Sequence, residues 1–400
     1  MEFREEKKSL LFFVFAFAIM GNYCLDSFLP SVSNIAKTLS TDVGKIELGF
    51  ALSAIGLAIG SFIFGMLTLK YGRRSLGLIS LIVLIIGELF CTFHLNVEFF
   101  WISRIIVGIG AGALITIIVT ILTEVFQGEE MVKYNSFLML TIALLPAVSP
   151  FFGGLIQTFL GRWEYNFIIP MVLFIILFIL YFRSFKEYKE VSQEVSINVG
   201  KIIKEYFIPF TELKATFAIV AGIFTLGSIF FYLTIGPTLF ESDLHLTPFQ
   251  YGGFSALNAV GFLCSSYLNI FLIKKGIRKI MIFGNSVALI AGILMIVLFF
   301  KVGLSILVIV GPSVLFIFGL NLVHINTLPN AIFVYKKKRG NIGATFIFIQ
   351  TLFAAFFGIF ASSVNIENQK IIGIVFVSTS IILFVIMSII FHKDKGEVKQ

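Results

Sequence analysis

The chain is poor in charge. Asp, Glu, Lys and Arg make up 13% of its 400 residues, where a soluble globular domain carries about 25%. That scarcity, with 58% hydrophobic residues and a mean hydropathy of +1.01, excludes an ordinary water-soluble fold. Cysteine is scarce too. Cys24, Cys91 and Cys264 all lie within apolar runs, so they form no disulfide framework and say nothing of redox compartment. No His/Cys cluster has metal-ligand spacing, which leaves no metal site to propose. A phosphate-binding glycine loop is missing, which argues against ATP as an energy source. Nothing points to an enzyme, and no cofactor is implied. Arg4, Lys7 and Lys8 precede the first apolar run as in a secretory leader, but no small-residue cleavage pattern follows, so that run is read as a retained helix.

Apolar residues come in runs of roughly 20, enough to cross a ~30 Å hydrocarbon core as helices. Twelve spans fit, at about 10–31, 46–69, 75–95, 98–123, 134–159, 164–183, 214–240, 250–273, 278–299, 303–333, 341–363 and 370–392. The expected class is an all-α membrane protein. Of the 30 Lys and Arg, Arg104 lies inside a span and Lys37, Lys45, Arg162, Lys301 and Lys370 share one side. The rest fall on the other, which places both termini in the cytoplasm. The net charge of +8 therefore reflects the membrane edge and not a nucleic-acid partner. The connection 184–213 divides the chain into two six-helix parts, 1–183 and 214–400, and Ile202–Phe207 within it reads as amphipathic. Leu69-Lys70-Tyr71-Gly72-Arg73-Arg74 in the first part is echoed by Ile273-Lys274-Lys275-Gly276-Ile277-Arg278 in the second. Two repeats around a midplane site is the layout of many secondary transporters.

Asp26, in the stretch Asn22-Tyr23-Cys24-Leu25-Asp26-Ser27-Phe28-Leu29-Pro30, stands four or five residues from the outer end of the first run. A carboxylate there costs several kcal/mol unless it faces a cavity or partner. Glu88 and Arg104 fall at similar depth in spans three and four. An acid beside a guanidinium changes its contacts when protonated, which is what a proton-coupled switch requires, although a static buried pair would also explain the set. Arg104 is followed by Gly108, Gly110 and Gly112, spaced for close helix packing. Pro146, Pro150, Gly153 and Gly154 in the fifth span predict a bent helix. Polar groups in the second part are uncharged: Tyr232, Asn258, Asn321, His324, Asn326 and Gln350. Candidate cavity-lining residues are Asn22, Tyr23, Tyr232, Asn258, Asn321, His324 and Gln350. His324 also reads as a hydrogen-bonded structural histidine.

These motifs together resemble the major facilitator superfamily, and within it the drug/proton antiporter branch associated with bicyclomycin and chloramphenicol resistance (Bcr/CflA type). Asp26-Ser27-Phe28-Leu29-Pro30 is similar to that branch's first-helix signature. Gly65 through Gly72, Arg73 and Arg74 is similar to the superfamily's loop between spans two and three. Arg104 with its glycines is similar to the proton-coupling motif of span four, and Pro150, Gly153 and Gly154 to the antiporter motif of span five. Gly236-Pro237 and the stretch from Leu246 to Asn258 are similar to the branch's seventh-to-eighth span segment. Five positions depart from the pattern. Leu69 and Lys70 stand where an acid and Arg are usual, Val107 replaces Gln, Ser149 replaces Gly, and Ala18 occupies the place of a second first-helix acid. The resemblance implies the major facilitator fold, a monomer in a bacterial inner membrane, and proton-coupled export of small amphipathic compounds, with Asp26, Arg104 and Glu88 in coupling. A dedicated exporter or importer of one metabolite, such as a siderophore, fits the same motifs. A non-transporting receptor has only the missing loop acid in its favour.

Overall fold

The computed structural model describes residues 2–126, 128–187, 200, 204, 207–333, 339–363 and 370–397. Every regular element among them is helical. The first part runs α1 (Glu2–Asp26), α2 (Val32–Thr38), α3 (Val43–Tyr71), α4 (Arg73–Cys91), α5 (Val97–Val125), α6 (Gly128–Leu160) and α7 (Tyr165–Ser184). The second runs α8 (Leu213–Pro237), α9 (Pro248–Leu272), α10 (Ile277–Val302), α11 (Ile306–Phe333), α12 (Arg339–Ser363) and α13 (Lys370–Glu397). Eleven stretches among the described residues are long and apolar enough to cross a membrane, and Leu144–Leu160 of α6 is a shorter apolar stretch. Most of the 184–213 connection, including all but Lys204 and Phe207 of the expected amphipathic segment, lies outside the described residues.

Two compact units emerge. The first joins Met1–Asn198 to Leu246–Ser255, and the second joins Val199–His245 to Ala256–Gln400. In the first, α3 and α5 form the closest pair. A Cβ on Gly56 or Gly60 would strike the carbonyls of Ile105 and Ile109, and one on Gly108 or Gly112 those of Ser53 and Leu57. Small residues four apart on both helices let the backbones meet, so dispersion contacts and polar bonds hold them where no hydrophobic driving force acts between helices in lipid. Ser61 Oγ donates to Gly112 O at 3.1 Å across this seam. On the far side of α4, Tyr181 of α7 donates to Arg73 O (3.0 Å), meets Phe13 edge to face and stacks on Phe185.

The second unit is built alike. Gly284 of α10 and Gly319 of α11 face each other's carbonyls, and Phe316 stacks flat on Phe376 at 3.4 Å. Asn285 Nδ2 donates to Ser380 O (2.8 Å), and Ser228 and Thr379 share a hydroxyl bond of 2.7 Å. The outward faces are large and apolar in both units, with Phe12, Ile176, Phe300 and Leu307 among the exposed side chains. Such continuous apolar surface fits hydrocarbon and not water.

Two connections of the first unit, α4 to α5 and α6 to α7, bring a charged cluster together just outside the membrane-crossing stretches Arg73–Cys91 and Tyr165–Ser184. Glu164 Oε1 lies 3.1 Å from both His94 Nε2 and Arg162 Nη2, while Trp163 stacks on His94 at 5.0 Å and donates Nε1–H to Thr38 Oγ1 at 3.0 Å. Burial opposes ionisation of Glu164. The hydrogen bond from Arg162, with the charges of Arg162 and His94, outweighs it and holds the carboxyl below the usual glutamate range. A depressed folded-state value contributes stability above the unfolded value of about 4.3, and loses it as pH falls through the folded one. The melting temperature of the purified protein is therefore expected to fall more steeply with acidification below about pH 4.3 than that of Glu164→Gln. Parallel pH profiles for the two proteins would contradict the assignment.

Candidate functional site

The apolar run around Asp26 folds as two helices and not one. In an unbroken helix the N–H of residue 30 would bond the carbonyl of residue 26. Pro30 has no N–H and disfavours helix at Leu29, so α1 stops at Asp26. Ser27 N still reaches Tyr23 O (3.0 Å), the chain turns through a 3-10 segment at Leu29–Ser31, and α2 resumes at Val32. Helix ends leave carbonyls unsatisfied, here inside the membrane-crossing stretch Lys8–Thr38.

Arg104 supplies the missing donors. From α5 its Nη1 donates to Cys24 O (3.2 Å) and its Nη2 to Leu25 O (2.8 Å), and the guanidinium carbon lies 4.3 Å from the centre of the Phe28 ring. Arg104 is wholly buried. A cation at a helix C-terminus is favoured by the helix dipole, and a desolvated cation over an aromatic face gains ~2 kcal/mol. Phe28 is itself held between Phe100 and Phe167, at 5.9 and 5.8 Å.

Asp26 and Glu88 are both buried, and both lie within electrostatic reach of Arg104. Neither forms an ion pair with it among the described residues. The guanidinium spends its hydrogen bonds on main-chain carbonyls, and both Glu88 oxygens have no hydrogen-bond partner among the described residues. Tyr23, Cys24 and Cys91 share the field of Glu88. Asn22 turns its amide back to Ala18 O (2.8 Å). The structure thus brings Asp26, Glu88 and Arg104 together from α1, α4 and α5.

Sequence reading passed over a second group that buttresses the break. Ser31 Oγ donates to Gln157 Oε1 (2.9 Å) and accepts from Asn166 Nδ2 (2.7 Å), which also reaches Gly153 O at 3.3 Å. Gly153 presses directly on Ser27, and Gly154 faces the carbonyl of Pro248 in the same unit. Gln157 and Asn166 are polar residues in apolar surroundings, and that was the available signal.

The remaining candidates make other contacts. Gly65 has ordinary room against Thr116, and Gly72 turns the chain between α3 and α4 at φ 77°. Arg73 pairs with Glu124. Arg74 donates its N–H to Glu187 (2.8 Å) and its guanidinium to Phe182 O (2.8 Å). In the second unit His324 Nδ1 meets Thr225 Oγ1 at 3.0 Å, and Asn321 donates to Ser265 (2.8 Å) and Ser266 (3.0 Å). Both are satisfied within helix packing. Tyr232 lies beside Asn258 and Ser313. Asn258 Oδ1 and Gln350 Oε1 are buried acceptors with no hydrogen-bond partner among the described residues.

With this geometry in hand, comparison with known proteins defines the class. Residues 11–363 match the Major Facilitator Superfamily. The chain belongs to that superfamily of membrane transporters. It is 26% identical over 266 residues to the "Uncharacterized MFS-type transporter YdgK" of Bacillus subtilis, covering 66% of each chain, just under two thirds. It is 22% identical over 295 residues to a "Bicyclomycin resistance protein homolog" of Haemophilus influenzae (73% of this chain, 74% of the relative). It is 21% identical over 284 residues to "Multidrug resistance protein MdtL" of a Shewanella species (71% of each).

Two substitutions probe the break. Gly153→Ala puts a methyl group into Ser27 O and forces a backbone shift, with an expected loss of ~1–3 kcal/mol, whereas Gly65→Ala has room and is expected to be near neutral. Thermal unfolding in detergent distinguishes them, and equal melting temperatures would refute the contact. Arg104→Lys keeps the charge but not the fork that spans two carbonyls. It is expected to lower the melting temperature well below wild type, and a neutral result would show that charge alone suffices.

Proposed function

We propose that this chain is a proton-coupled exporter of small amphipathic compounds in a bacterial inner membrane. Twelve spans, with α6 among them, form two six-helix halves of a monomer, and both termini are cytoplasmic. Asp26 is the proton-carrying group, Arg104 the group that senses its charge, and Glu88 a second acid in the same field. One observation carries the reading: an acid stands at the broken end of a membrane helix whose last carbonyls are held by a buried arginine. The names of the Haemophilus and Shewanella relatives support the choice of cargo class.

The cycle follows from charge. With Asp26 ionised, Arg104 is attracted both by that carboxylate and by the carbonyls of Cys24 and Leu25. Protonation removes one of the two attractions, so the balance between conformations shifts. Exchange results only if proton and cargo favour opposite states, because a ligand shifts an equilibrium by its differential affinity alone. Gly153 couples the break to α6, whose Pro146 and Pro150 make it a candidate moving element. Asn258 and Gln350, with acceptors to spare, are candidate cargo contacts in the second half.

The test is efflux from inverted vesicles driven by an imposed proton gradient, against a panel of amphipathic compounds. Asp26→Asn protein is expected to lose gradient-driven accumulation while retaining downhill exchange. Undiminished uphill transport by that variant would remove Asp26 from coupling. Transport of a single metallophore and of no drug would move the protein to a dedicated exporter.

A further inference from the structure

The second unit carries a groove that the transport reading does not use. It is a cavity of about 530 Å³ between α9, α10 and α11, open along one side. Its walls are hydrocarbon: Leu257 and Val260 of α9, Leu294 and Leu298 of α10, Leu307 and Gly311 of α11. Gly311 leaves the floor open, since nothing lies within 4 Å of where its Cβ would stand. Leu257, Val260 and Leu307 are strongly exposed, so the groove faces outward at the depth of the spans.

The charge at its end is specific. Residues 294, 298 and 301 follow the i, i+4, i+7 spacing that places them on one face of a helix. Lys301, in the last turn of α10 and exposed, therefore crowns the same stripe that lines the groove. It stands about 4.5 Å along the axis beyond Leu298. The connection that follows, Gly303-Leu304-Ser305, contains no acid.

We propose that this groove holds an acyl chain of an anionic phospholipid, whose phosphate is met by Lys301. The walls offer no hydrogen-bonding side chain to orient a polar cargo, yet a cation caps one end. A hydrocarbon tail beneath an anionic headgroup satisfies both facts. The volume lies within the ~300–1,000 Å³ of small-molecule sites, more than shallow contact with bulk lipid requires.

Native mass spectrometry of the full chain, delipidated in detergent and supplied with phosphatidylglycerol or phosphatidylcholine of matched chains, tests this. Wild type is expected to retain one phosphatidylglycerol in preference to phosphatidylcholine. Lys301→Gln, a surface change that leaves packing intact, is expected to reduce that preference about fivefold. Gly311→Phe fills the floor and is expected to abolish retention. Val385→Phe, on an exposed position of α13, serves as control and is expected to change nothing. Retention unaffected by Gly311→Phe, no headgroup preference in wild type, or equal loss in the Val385 control would overturn the proposal. So would a dimeric mass that Gly311→Phe converts to monomer, because the occupant would then be a second copy of the chain.

Discussion

A buried guanidinium holds the broken end of α1, and the first unit depends on that contact. Burying an unpaired cation costs several kcal/mol. Here two charge-assisted bonds of 2.8 and 3.2 Å to Leu25 O and Cys24 O, the negative end of a helix, and the Phe28 ring offset the cost together. The debt runs both ways. Without Arg104, the carbonyls of Cys24 and Leu25 at the end of α1 would be buried in a membrane-crossing stretch without this donor, a situation that membrane interiors do not tolerate.

The acids gain their meaning from this arrangement. A direct ion pair would have tied Arg104 to one carboxylate and left the helix end bare. Holding the carbonyls instead keeps the guanidinium in place, while Asp26 and Glu88 act on it through space. Gly153 and the Ser31–Gln157–Asn166 bonds extend the same contact to α6 and α7, so any change at the break is felt by helices on both of its sides. The second unit follows another rule. Its buried polar groups among the described residues are neutral and mostly paired, with the side-chain oxygens of Asn258, Asn285, Ser313 and Gln350 among those left over.

Much of this was legible in the residues. Apolar run length and the placement of basic residues announce membrane helices, because the bilayer enforces both directly. Asp26, Glu88 and Arg104 were legible for a related reason, since a charge in hydrocarbon is rare enough to be conspicuous. The break after Asp26 was within reach, because Pro30 points to the carbonyl four residues back. It was missed because hydropathy reads straight through it. Ser31, Gln157 and Asn166 are small or uncharged and belong to distant segments, and nothing in composition says that three such residues meet. His324 and Asn321 show the converse. They are polar groups of the kind that lines cavities, yet their neighbours Thr225, Ser265 and Ser266 already satisfy them.

The sequence by itself determined that this chain lives in a membrane, that its spans are helices, and that ionisable groups gather at one depth of its first half. Those properties follow from transfer free energies and backbone hydrogen bonding, which act locally along the chain. Only the tertiary structure decided what Arg104 touches. Hydrogen bonding is a short-range contest among whatever groups packing brings near, and here two carbonyls at a helix end won the guanidinium while the two carboxylates were left within its field.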